Sequence, residues 1–104
     1  MSRFSVRCGD HADAGDPDEE WEVTGFASAE TAREYARRFI RAQVEDLRQD
    51  AATQDILRDM YFRWGEFALA EGLDTVAWVE FCLANPASKK SETDYSALES
   101  GGRA

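Results

Sequence analysis

"TQDILRDMYFRWGEFALAEGLDTVAWVEFCLANP", Thr53 to Pro86, decides the fold, because it can be read as two helices or as a hairpin. Ile56, Leu57, Met60, Tyr61, Trp64, Phe67 and Ala68 recur at intervals of three and four, the spacing of an amphipathic helix, with Thr53 as its N-cap and Gly72 as its stop. Gly65 weakens the middle of such a helix by about 1 kcal/mol relative to Ala, and Phe62 and Leu69 fall off its stripe. A strand over "RWGEFALA" is therefore the competitor. In "LDTVAWVEFCLANP", Asp74 suits an N-cap and Asn85-Pro86 a stop, although Val, Trp and Phe suit a strand equally well. Apolar nearly all round, this stretch has to be buried. The adopted reading is a helix over 75–84 and, over 54–71, a helix passing into an extended tail.

Towards the N-terminus, "RFSVRC" alternates, placing Phe4, Val6 and Cys8 on one face and Ser5 and Arg7 on the other, as in a half-buried strand. "EEWEVTGF" repeats the pattern with Trp21 and Val23, and Gly25 reads as a bulge or strand end. The two segments predict an antiparallel hairpin joined by "GDHADAGDPDE", a long, acidic surface loop. Ser28 then caps a long helix over 28–50, with Glu30 in the first turn. Ala29, Ala32, Tyr35, Ala36, Phe39, Ile40 and Leu47 fall within one arc, with Val44 at its margin. Gln43 lies in the middle of that arc, where its amide needs a partner from backbone or a buried water. Beyond Pro86 the hydrophobicity is low and aperiodic. The organisation expected is a single small α+β domain over 1–86, an N-terminal hairpin packed by a long amphipathic helix and an apolar C-terminal segment, followed by a disordered tail over 87–104.

One domain of 104 residues with 43% hydrophobic and 32% charged residues can bury a single core without staples. The first twenty residues lack the apolar run of a signal peptide, and no stretch approaches the ~20 apolar residues of a membrane span. Cys8 and Cys82 form no C-x-x-C and read as two reduced thiols, so a cytoplasmic location is expected. The preference for Arg over Lys fits a GC-rich bacterial genome.

Net charge is −9, distributed as −5 over residues 1–27, 0 over 28–50, −4 over 51–86 and 0 over 87–104. That sign repels polyphosphates and anionic lipid, so neither nucleic acid nor membrane is an expected partner. Only "ETAREYARRFIRAQVEDLR", Glu30 to Arg48, concentrates arginine. Arg33, Arg37, Arg41 and Arg48 share an arc of about 80°, but Glu30, Glu34 and Glu45 overlap it at i,i+3 and i,i+4, pairs worth roughly 0.2–0.5 kcal/mol each. The expectation is a charge-compensated helix flank. Arg37 and Arg41, least satisfied within the helix, are the candidates for an acidic protein surface, the chain's own or a neighbour's.

Other chemistry is weakly represented. "CGDHADAGD" gathers Cys8, Asp10, His11, Asp13 and Asp16, yet one histidine makes a poor zinc site and Ala12 and Ala14 occupy EF-hand ligand positions. Cys8 faces the core side of its strand, which argues against a nucleophile paired with His11. Phosphate loops, nucleophile elbows and H-E-x-x-H motifs are absent from the sequence, so no cofactor is expected and the enzyme reading is disfavoured, with a carboxylate-based activity left open. Of Trp21, Trp64 and Trp78, at least two are expected in the core and one on a protein-binding patch. The sequence thus reads as a small acidic interaction or regulatory module that binds another protein or its own copy, with Arg33, Arg37, Arg41, Trp64 and Trp78 as candidate contacts. Two alternatives are a ligand-binding or hydrolytic domain using carboxylates such as Glu66 and Glu80, and an acidic mimic of nucleic acid.

Overall fold

A computed structural model describes residues 4–13 and 15–99. In chain order its main elements are β1 (Phe4–Asp10), β2 (Trp21–Phe26), α1 (Ala29–Arg48), α2 (Gln54–Trp64), β3 (Glu66–Leu69) and α3 (Thr75–Ala84), and short 3₁₀ turns punctuate the loops and the C-terminal stretch. The architecture is α+β: a three-stranded antiparallel sheet in the order β2-β1-β3, with α1 across one face and α2 and α3 beside it. No helix of the described residues is long and apolar enough to cross a membrane.

The hairpin forms as its alternation predicts. Val6 pairs with Val23 and Cys8 with Trp21, and Val6 and Cys8 are fully buried. The register slips between Phe4 and Val6, and Gly25 there has a φ of 94°, a left-handed conformation that glycine adopts without a Cβ clash. The consequence is a change of face. Without the bulge Phe26 would point away from Val23; with it, Phe26 pairs opposite Phe4 and is buried.

Ser28 Oγ accepts from the Thr31 N–H at 3.1 Å and starts α1, whose buried side chains are Ala32, Tyr35, Ala36, Phe39, Ile40, Arg41 and Val44. Gln43 finds its partner across the core. Its Oε1 accepts from the Glu66 backbone N–H at 3.3 Å, and its Nε2 donates to Glu66 Oε1 at 3.4 Å. The amide therefore holds α1 to the first residue of β3.

Thr53 to Pro86 resolves into both competing forms, helix first and strand second. α2 runs only to Trp64, and Gly65 closes it by donating to the Tyr61 carbonyl at 2.8 Å. A Cβ at Gly65 would lie 2.6 Å from Tyr61 Cδ1 and 2.8 Å from Tyr61 O, so a side chain there is excluded by close packing. The chain then extends as β3, antiparallel to β1, with Ala68 opposite Cys8. Asp74 caps α3 through the Ala77 N–H, and Arg58 of α2 holds Glu80 of α3 with two hydrogen bonds of 2.9 and 2.8 Å.

The expectation for the tryptophans needs correction. None of the tryptophans is buried: Trp21 and Trp64 are exposed and Trp78 is half-buried. Tyr35, Tyr61, Phe26, Phe39 and aliphatic side chains fill the core, while Trp78 keeps its indole N–H at the margin, donating to the Arg37 carbonyl at 2.9 Å. Residues 87–99 form a strap along α1. Tyr95 packs edge-on to Tyr35 and Phe39, and Leu98 also packs against the core. A few anchors suffice where composition alone predicts a loose tail. Residues 100–104 of that predicted tail lie outside the described residues.

Candidate interaction surface

The arginines of α1 are taken up within the chain. Arg37 and Arg38 share Glu34, at 3.1 and 3.0 Å, and Arg48 grips Glu45 while donating to the carbonyls of Cys82 and Leu83. Arg33 donates to the Glu71 carbonyl at 3.2 Å rather than to Glu30. Arg41 departs most from the expected surface role. It is 5% exposed, its Nε and Nη2 both donate to Glu92 Oε1 at 3.2 and 3.0 Å, and its guanidinium lies 5.6 Å from the rings of both Trp78 and Phe81. Arg41 therefore meets the chain's own acid, 51 residues away, and offers nothing to an outside surface while the strap is in place. No bare cationic ridge remains along these five side chains.

The carboxylates proposed for chemistry answer to separate partners. Glu80 is held by Arg58, whose hydrogen bonds pull its pKa below the ordinary value. Glu66 goes the other way, raised by burial and by Asp10, its cross-strand neighbour. Cys8 is sealed, and burial, reinforced by Glu66 and Glu99, pushes its thiol up to about 12. His11 donates its backbone N–H to the Gly65 carbonyl, and its ring lies against Tyr61, Phe62 and Phe67. Burial lowers its pKa, which favours a neutral ring; Nε2 has no hydrogen-bond partner. Among the described residues no three His, Cys, Asp or Glu side chains are grouped to hold a metal.

What the molecule does offer is an apolar recess of about 240 Å³ where the end of α2, the strand β3 and the start of α3 meet. Ile40, Tyr61, Phe67 and Val79 are among its lining residues, with His11 in the wall. Three more lining residues stand out into solvent: Phe62 is 39% exposed, Leu69 45% and Val76 60%. Fully burying one such side chain is worth about 1.5–3 kcal/mol, so covering the exposed parts of all three would contribute roughly 3 kcal/mol. Their exposure follows from position. Phe62 lies off the buried stripe of α2, Leu69 alternates with the buried Ala68, and Val76 occupies the first turn of α3, where a helix apolar all round has no second surface to cover it.

Of the predicted contacts, Trp64 is 58% exposed, two residues beyond Phe62, with the Arg63 guanidinium 5.4 Å from its ring. Trp78 instead belongs to the Arg41 assembly. Arg33, Arg37 and Arg41 line α1 and do not line the recess. The recess residues themselves were missed by sequence reading, although the two side chains that broke the helical stripe, Phe62 and Leu69, turn out to be two of its rim. Compared with known protein families, curated protein sequences and solved structures, the chain matches none.

Proposed function

We propose that this protein is an interaction module that binds an apolar segment of another protein in the recess between β3 and α3. The observation that carries the reading is the recess itself: an almost wholly apolar lining with Phe62, Leu69 and Val76 left exposed around it. Exposed apolar rims of this kind mark contact sites. At about 240 Å³ the recess is smaller than the roughly 300–1,000 Å³ of small-molecule sites, and a protruding side chain is the better fit. A partner of different chemistry is favoured over a second copy, because two chains each carrying −9 repel. The two free, buried thiols fit a reducing compartment such as the cytoplasm.

The test is affinity capture from the native host with wild type and with Leu69→Asp/Val76→Asp, both first checked for unchanged circular dichroism. The wild type should retain a partner that the double variant loses at least about tenfold, as losing some 1.4 kcal/mol or more requires. Equal retention by both would overturn the reading.

A further inference from the structure

The strap over α1 is held by contacts of the kind that hold a bound peptide. Three of its features are recognised in turn. Glu92 takes two hydrogen bonds from Arg41, Tyr95 packs edge-on to Tyr35 and Phe39 at centroid distances of 5.6 and 5.0 Å, and Glu99 accepts from the Tyr35 hydroxyl at 2.7 Å. Arg38 adds a hydrogen bond to the Asp94 carbonyl. Together they form a cradle on α1 that reads a short acidic segment bearing an aromatic side chain, and it is independent of the recess.

Occupation of this cradle by the strap is incomplete. Both donors of Arg41 converge on a single oxygen, Glu92 Oε1, because Oε2 is taken by the Ser88 and Lys89 N–H groups and the Ser88 hydroxyl. Nη1 of Arg41 is buried without an oxygen or nitrogen acceptor, and the guanidinium's interaction with the Cys82 thiol is a weak one. A guanidinium is best matched by two oxygens in a fork, which the strap does not provide. An incoming carboxylate free of its own backbone contacts can supply both.

We propose that the Tyr35–Arg38–Arg41 face of α1 is a binding site for an acidic, aromatic-bearing segment of another protein, occupied in cis by residues 87–99, which such a segment displaces. The cis strap has the advantage of tethering, equivalent to a high local concentration, so the exchange is visible only with excess ligand or a loosened strap.

The probe is a synthetic peptide of residues 86–99 of this chain, capped at both ends and labelled for fluorescence anisotropy. It is titrated into the full chain, into the full chain with Glu92→Ala/Tyr95→Ala/Leu98→Ala, and into that variant with Arg41→Gln added. The loosened variant should bind the peptide at least about tenfold more tightly than the wild type. Arg41→Gln should remove most of that gain. A loosened chain that keeps its circular dichroism yet binds no better than wild type would overturn the proposal. Should the triple variant fail to fold, hydrogen exchange of wild-type amides 87–99 in excess peptide decides: faster exchange supports displacement, unchanged exchange refutes it. Peptide-free dimers abolished by Tyr95→Ala would show that a second copy's strap is the occupant, and would overturn the assignment to another protein.

Discussion

Arg41 is the residue where charge and packing meet. Its guanidinium is buried under the strap, and the carboxyl it holds, Glu92, is drawn from 4.5 down to about 2, first by Arg41 and then by the Ser88 and Lys89 N–H groups. A carboxyl whose pKa is lower in the folded than in the unfolded chain contributes stability above its unfolded value and loses it as pH falls towards the folded one. The strap should therefore hold above about pH 4.5 and loosen progressively towards about pH 2. Amide exchange of residues 87–99 followed across that range should rise in the wild type, whereas Glu92→Gln should show high exchange throughout and little pH dependence. Cys8 gives a second residue-scale expectation. With its pKa near 12, well under a thousandth of the thiol is ionised at about pH 8. Disulfide reagents should leave it untouched in the native chain and label it promptly in denaturant; rapid native labelling would mean that the core opens. At this scale the sequence was partly legible. Cys8 on the inner face of its strand follows from alternation alone, but Glu92 and Arg41 lie 51 residues apart, and no local pattern joins them.

Among the elements, the junction of α2 and β3 turns on Gly65. Its missing side chain reads in sequence as a flaw in a helix, and in the fold it is the point where the helix ends against Tyr61. Gly65→Ala should cost about 1–3 kcal/mol, because the nearest atoms include the Tyr61 carbonyl and the backbone has to move. Thermal melts should register this as a fall of about 4–8 °C per kcal/mol. An unchanged midpoint would mean that the junction relaxes freely. The hairpin, α1 and α3 were legible because strand alternation, the Ser28 and Asp74 caps and the helical stripe are local signals. The split of Thr53 to Pro86 into helix, strand and helix was legible only in outline. Tyr61 contributes to the stripe, crowds the space a side chain at Gly65 would need and donates its hydroxyl to the Glu66 carbonyl; the last two roles join residues only four and five apart, but hydrophobic periodicity does not register them.

At the scale of the molecule, the arginines of α1 are engaged internally and apolar surface is left outside. Arg33, Arg37, Arg38, Arg41 and Arg48 each have a partner in the chain, while Phe62, Leu69 and Val76 from three different elements stand around one recess. That assembly could not be read from any one stretch, since each side chain looks unremarkable in its own element. With −9 on each chain, sedimentation at low salt should find a monomer, and a stable dimer there would contradict the preference for a different partner. The central claim, that the recess receives the captured partner without help from the exposed arginines of α1, is tested most directly by methyl NMR of the full chain titrated with the captured protein. The methyls of Ile40, Leu69, Val76 and Val79 should shift together with the progress of binding, and Arg37→Ala should leave the isotherm unchanged. Binding that leaves those four methyls in place, or that disappears with Arg37→Ala, would contradict it.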